Sequence, residues 1–132
     1  MTFSEAAVSE FEFLTDRGFR LVETTENVAR FESPVATVTA SYYPREAQVD
    51  VTAAPIVQRD AHDVLVISGM VGRATPERLL QLAAEELRSN EPALRGDRDY
   101  FVRLGDERRQ LAGAWTAFYE RKGPEPRDKL SP

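Results

Sequence analysis

Four short segments between residues 19 and 55 constrain the fold more than any other feature of this sequence. Within each segment the side chains alternate between apolar and polar, the period of a β-strand with one buried face. The segments are, in chain order, FRLVETT, NVARFES, VATVTASYY and AQVDVTAAP. They are separated by the turn-forming residues TTEN, Ser33-Pro34 and Pro44. Four consecutive strands with short connections predict an antiparallel meander that exposes one polar face.

A helix is predicted before the strands. Its apolar face consists of residues spaced three and four apart: Phe3, Ala7, Val8, Phe11 and Leu14. Thr2 or Ser4 can accept a hydrogen bond from a free amide of the first turn, and Gly18 supplies the left-handed residue at which helices commonly end.

Two helices are predicted after the strands. Thr75 and Pro76 are typical of a helix start, and the helix that follows should end near Asn90. Its inner stripe is Leu79, Leu80, Ala83 and Leu87. A last helix is predicted over residues 98–122, with an apolar side formed by Phe101, Leu104, Leu111, Trp115 and Phe118. Gly105 and Gly113 should weaken this helix by roughly 1 kcal/mol each relative to alanine.

Residues 58–73 carry two conflicting signals. The β-branched residues Val64, Val66 and Ile67 favour a strand. Asp60 and Asp63 stand three residues apart, a spacing that resembles a helix cap. We expect a short helix here.

These elements together predict an α+β fold: an N-terminal helix, a four-stranded antiparallel β-meander, and C-terminal helices packed on one face of the sheet. We expect residues 1–122 to form a single domain, because no composition shift or repeat divides them. Residues 123–132 are a polar, proline-rich tail that we expect to be flexible.

The composition excludes several kinds of active site. The chain has no cysteine and one histidine, so thiol chemistry and thiolate metal sites are excluded. His62, with Asp60 and Asp63 beside it, could serve a catalytic dyad or an oxygen-rich metal site, but no nucleophile motif accompanies it. A surface histidine near a helix start explains it better. We therefore predict no catalytic residue, no metal and no cofactor.

Charge and hydropathy limit the partners. The net charge of -5 argues against nucleic acid, whose binders must offset phosphate charge. No apolar run is long enough to cross a bilayer, and the N-terminus lacks a secretory signal, so we expect a cytoplasmic protein without membrane contact. Acidic residues follow one side of the first helix and of a later one. They are typical of solvated faces, although an acidic surface for a basic partner is the alternative.

The polar face of the predicted sheet is the candidate binding site. If the register holds, seven side chains point the same way: Arg20, Arg30, Thr37, Thr39, Tyr43, Asp50 and Thr52. Arginine and tyrosine are enriched at protein interfaces. An ordinary solvated sheet face carries the same pattern and is the simpler interpretation.

The tripeptide Arg95-Gly96-Asp97 matches a cell-adhesion motif, but its position indicates a joint between helices. Gly96 can adopt a left-handed turn, and Asp97 can cap the last helix.

Four stretches, FLTDRGFRLVE, VARFESPVATVTASYYPR, VDV and LRGDRDYFVRL, resemble a loose group of small uncharacterised bacterial α+β proteins, over most of residues 11–110. The shared motifs are structural, so the resemblance implies a fold and not an activity. By size and composition the group includes immunity proteins, which neutralise toxins.

The leading hypothesis is a non-enzymatic bacterial protein-binding module that acts as an immunity- or antitoxin-like inhibitor of another protein. One alternative is an enzyme or small-ligand binder with a pocket between sheet and helices. The other is a structural subunit, or a homodimer formed through an edge strand.

Overall fold

Helices pack on one face of an antiparallel sheet. The computed structural model describes residues 2–58 and 60–120, without the side chain of Phe118. The strands are β1 (Arg20–Thr24), β2 (Val28–Glu32), β3 (Ala36–Tyr43), β4 (Gln48–Pro55) and β5 (Leu65–Met70). The helices are α1 (Phe3–Glu10), α2 (Pro76–Arg88), α3 (Glu91–Leu94) and α4 (Arg98–Tyr119), with a 3-10 helix (Glu12–Arg17) between α1 and β1. The predicted α+β fold with an N-terminal helix and C-terminal helices is confirmed.

The N-terminal helix begins as predicted but is interrupted. Thr2 caps α1: its hydroxyl accepts a hydrogen bond from the Glu5 amide, and the Glu5 carboxylate accepts one from the Thr2 amide. After Glu10 the chain tightens into the 3-10 helix, which Gly18 ends with a left-handed φ of 84°. The predicted apolar residues are buried except Val8, which is 37% exposed. Val8 follows buried Ala7 by more than a quarter-turn, which takes it to the solvent side.

The sheet has five strands rather than the predicted four. They follow chain order, β1-β2-β3-β4-β5, and each neighbouring pair is antiparallel. The four predicted strands are present. The fifth, β5, lies within residues 58–73, where we expected a short helix.

The short helix predicted within residues 58–73 is absent for two reasons, one local and one in a distant strand. Asp60 does not cap a helix: its carboxylate accepts the His62 amide at 2.8 Å in a tight turn. Beyond the turn, six residues of β5 pair with β4, beginning at Leu65 opposite Ala53. The β-branched residues then adopt the extended conformation that they favour, because β4 offers an unpaired edge.

The core lies between the sheet and the helices. The covered face of the sheet carries small and branched side chains that are at most 5% exposed: Ala29, Phe31, Ala36, Val38, Ala40, Val49, Val51 and Ala53. Phe11, Leu80 and Phe101 reach them from the helices and are fully buried. These buried side chains form one apolar cluster between the sheet and the helices.

The joint between α3 and α4 contains the Arg95-Gly96-Asp97 tripeptide. Gly96 has a φ of 64°, and a Cβ added there would overlap the carbonyl oxygen of Val35. Asp97 caps α4 by accepting the Tyr100 amide at 3.3 Å. Both features agree with the predicted structural role. α2 ends at Arg88, close to the predicted end at Asn90, and Pro92 lies in the first turn of α3.

The last helix, α4, has a buried beginning and an exposed continuation. Phe101 and Gly105 are buried, whereas none of the described side chains after Gly105 is. Trp115 was predicted to lie in the core; it is half-buried and stacks on Tyr119 with ring centroids 5.6 Å apart. The predicted helix end at Lys122, the side chain of Phe118 and the tail at 123–132 lie outside the described residues. Within the part described, no helix is long and apolar enough to cross a membrane.

Candidate binding surface

The register of the sheet places all seven predicted residues on the face opposite the core, which we call the open face. Directly paired residues of an antiparallel sheet share a face. Arg20 pairs with Glu32 and, one strand on, Glu32 pairs with Thr37; Tyr43 pairs with Gln48. The remaining four residues fall into two cross-strand rows. Common placement does not by itself establish binding, which stays a prediction.

Arg30, Thr39 and Thr52 form the central row of the open face. Thr39 is the direct partner of Arg30 in β2 and of Thr52 in β4, and Val66 extends the row into β5. The Arg30 guanidinium is tied to Glu23 of β1 by an ion pair of 3.2 Å. Its Nε is buried and has no hydrogen-bond partner within the described residues. The row therefore presents an oriented cation beside two threonine hydroxyls.

Asp50 anchors the next row. It pairs with Ser41 on one side and Ser68 on the other. One carboxylate oxygen accepts two hydrogen bonds, from the Ser68 hydroxyl and the Gln48 amide, each at 2.7 Å. These bonds fix the carboxylate, so the open face carries a positioned anion two strands away from the Arg30 cation.

The far end of the open face is partly apolar. Tyr43, Gln48 and Met70 form one row across three strands. Tyr43 is 46% exposed and Met70 54% exposed; Val66, at the β5 end of the central row, is 38% exposed. Exposed aromatic and apolar side chains beside fixed charges are typical of a protein interface.

Sequence reasoning missed the contribution of β5 to this face. Val66, Ser68 and Met70 all lie on it, and Ser68 holds Asp50. The signal was present as a weak alternation, with Leu65 and Ile67 half-buried and the intervening residues exposed. It was hidden because the segment reads equally well as a capped helix.

Asp60 and Asp63, which stand beside His62 in the sequence, take part in a cluster around Arg109 of α4. Three carboxylates converge on its guanidinium: Asp60 at 2.7 Å, Asp106 at 2.5 Å and Asp63 at 3.9 Å. The hydrogen bond from the His62 backbone amide, helped by the Arg109 charge, lowers the pKa of Asp60.

The same aspartate cluster attaches α4 to the loop before β5. Asp63 is buried, and a Cβ at Gly105 would overlap its carboxylate. Among the residues that the structure describes, no group of three acidic, histidine or cysteine side chains could hold a metal ion. The cluster is a structural anchor.

The two helices that carry the acidic residues pack against each other. α1 packs against α2, and Arg17 forms an ion pair with Glu91 that links the 3-10 helix to α3. The hydrogen bond from Arg17 lowers the pKa of Glu91. A surface groove of about 390 Å³ lies beside the 3-10 helix, lined by Ser9, Glu12, Phe13, Thr15, Asp16 and Arg88. Arg88 covers the Phe13 ring at 4.8 Å, so one wall of this groove is a cation–π contact.

Comparison with known proteins adds no function. No family model matches this chain, and no curated protein or solved structure matches it either.

Proposed function

We propose that this chain is a non-enzymatic bacterial protein-binding module and that the open face of its sheet is the docking surface. The observation that carries the proposal is the row Arg30–Thr39–Thr52 with Asp50 beside it. Helices cover one side of the sheet and leave this row accessible. Glu23 holds the Arg30 guanidinium, and Gln48 and Ser68 hold the Asp50 carboxylate. A partner would therefore meet charges that are already in position.

The proposed partner is another protein rather than a small molecule. The open face is the side of an antiparallel sheet that carries polar and charged side chains, whereas small-ligand sites are concave and mostly apolar. The region between sheet and helices, where the alternative hypothesis required a pocket, is occupied by Phe11, Phe31 and Phe101. That packing favours the protein-binding hypothesis over an enzyme or ligand binder.

The specific form that we propose is an immunity- or antitoxin-like inhibitor. Its support is the acidity of the chain, with a net charge of -5, and the small α+β fold. An acidic inhibitor fits a basic target, since opposite charge steers the encounter between the two proteins. The aspartate and threonine side chains of the open face can accept hydrogen bonds from arginine or lysine of such a target.

The test is affinity capture from a lysate of the source organism at low salt, with the wild-type chain and two variants. Thr39→Lys places a charge at the centre of the open face. Gln110→Lys adds the same charge at an exposed position of α4 and serves as the matched control. We expect a protein that wild type and Gln110→Lys retain and that Thr39→Lys loses. Circular dichroism should show that both variants are folded.

Two outcomes would contradict the proposal. In one, no protein is retained specifically by the wild-type chain. In the other, Thr39→Lys retains the same protein in the same amount as Gln110→Lys. The second outcome would place the binding surface elsewhere, and the acidic sides of α1 and α2 would be examined next.

A further inference from the structure

The two edges of the sheet differ in how well they are protected from pairing with another strand. β1 carries the charged residues Arg20 and Glu23 and contains a bulge between Leu21 and Glu23. Charges and bulges are the usual devices that keep an edge strand from pairing. β5 has neither: its sequence is LVISGM, and its register with β4 is regular from end to end.

Within residues 2–58 and 60–120, no backbone hydrogen bond or strand pairing occupies the outer side of β5. The amide of Val71 donates to the carbonyl of Ala47 at 2.7 Å, which makes these two residues a hydrogen-bonded pair. Such pairs alternate along an antiparallel ladder, so Leu65, Ile67 and Gly69 direct their backbone groups towards β4. Val66, Ser68 and Met70 therefore direct their N–H and C=O groups away from it.

We propose that β5 is the edge along which two copies of this chain pair, joining their sheets into one antiparallel sheet across a two-fold axis at Ser68. In this register Ser68 lies opposite Ser68 of the second copy, and Val66 lies opposite Met70 of the second copy. These are the residues whose backbone groups point outwards. Each opposed pair can exchange both of its N–H···O bonds.

The side chains of β5 are complementary to their own two-fold copies in this register. On the open side, Val66 meets Met70 and serine meets serine. On the helix side, Ile67 lies opposite Gly69 of the second copy, so a bulky residue faces one without a side chain. Leu79 packs over Gly69, because a Cβ added to Gly69 would overlap a methyl group of Leu79. Ile67 of one copy would thus extend the apolar layer of the other.

A second copy suits this edge better than an arbitrary strand does. No charge lies within Leu65–Met70, so the two identical strands meet without like-charge repulsion. Leu65 and Ile67 are only half-buried, whereas their neighbours Val51 and Ala53 in β4 are 1% exposed. The apolar layer of the monomer is therefore incomplete at this edge. Pairing would complete it and would also unite the two open faces into one surface.

The test is the mass of the full-length chain, by light scattering and sedimentation, as its concentration is raised. A single strand pairing is a small interface, so the range should run from about 1 μM to about 1 mM. We expect a reversible monomer–dimer equilibrium. Ser68→Lys puts two like charges directly opposite each other and should raise the dissociation constant about tenfold or more. Thr39→Lys adds the same charge in a central strand and should leave the dissociation constant of the dimer unchanged.

Hydrogen exchange supplies a measurement that needs no variant. The amides of Val66, Ser68 and Met70 should exchange more slowly at high concentration than at low, while the β1 amides should not change. A chain that stays monomeric throughout the range would overturn the proposal. A dimer insensitive to Ser68→Lys, with unchanged exchange at these three amides, would overturn it too. The experiment uses the purified chain alone, so its result is independent of the partner proposed for the open face.

Discussion

The two faces of the sheet are built from the same strands, yet they differ in what their side chains must do. In β3, Val38 is 1% exposed against the helices, while its neighbour Thr39 is half-buried on the open face. On the covered face the choice of amino acid depends on side-chain volume, since small and branched residues have to fill the space under Phe11 and Phe101. On the open face the choice of amino acid depends on hydrogen bonding and charge. The covered face accounts for stability, and the open face is where we place function.

The largest expected effect comes from emptying the covered face. Phe31→Ala removes a side chain that is 5% exposed and should lower the free energy of unfolding by about 3–5 kcal/mol. Tyr43→Ala removes an aromatic residue of comparable size from the open face, where it is 46% exposed. It should cost less than about 1 kcal/mol. Urea denaturation of both variants measures the difference, and equal losses would remove the contrast between the faces.

A sharper comparison exchanges valine and threonine at adjacent positions of β3. Val38→Thr buries a hydroxyl among apolar groups and should cost about 1–3 kcal/mol. Thr39→Val changes nearly the same atoms on the open face and should stay within about 0.5 kcal/mol of wild type. Chemical denaturation of both variants measures the two changes in the free energy of unfolding. If Thr39→Val were as damaging as Val38→Thr, the threonine would be part of the fold rather than of a docking surface.

The attachment of α4 over the covered face can be tested at its two glycines. Gly105→Ala would place a Cβ against the buried Asp63 and should lower stability by about 1 kcal/mol, after the gain in helix propensity. Gly113 faces open space, so Gly113→Ala should raise stability by up to about 1 kcal/mol. Thermal melts of the two variants should therefore shift in opposite directions. Shifts of the same sign would mean that Asp63 does not fix α4.

The smallest expected effect is on how the stability of the fold depends on pH in the acidic range. Hydrogen bonds lower the pKa values of Asp60 and Glu91 in the folded chain below their ordinary values of 3.8 and 4.5. A carboxylate with a lowered folded pKa stabilises the fold above its unfolded pKa, and that contribution is lost as the pH falls through the folded pKa. Stability should thus decline below about pH 4.5. Asp60→Asn and Glu91→Gln should each make the decline shallower, whereas a steeper decline would contradict the assignment.

The same contrast explains what could be predicted from the sequence. The covered face of β2 to β4 was predictable because Val38, Ala40 and Val51 alternate with polar residues between recognisable turns. The strand β5 was not, because its conformation depends on pairing with β4, about 18 residues away, as Ser68 opposite Asp50 illustrates. Leu21 shows a related limit: it alternates with Phe19 and pairs with buried Phe31, yet it is 42% exposed because β1 is an edge strand with a neighbour on one side only.

The candidate site was predictable in part for the same reason. Arg30, Thr39 and Thr52 could be assigned to one face from alternation alone. Ser68, which fixes Asp50 together with Gln48, could not be assigned, since it reaches Asp50 from the strand that the sequence did not reveal. The attachment of α4 by Arg109 was also hidden, because it joins residues far apart in the chain.

The central claim is that the open face is accessible in the chain alone and is covered when a partner binds. Hydroxyl-radical footprinting of the chain, alone and in complex with the protein captured from the lysate, tests it most directly. Tyr43 should label readily in the chain alone and be protected in the complex. Tyr100, which is half-buried in the helix layer and bonded to Asn90, should label equally in both. Protection of Tyr43 in the chain alone, or its full labelling in the complex, would contradict the account.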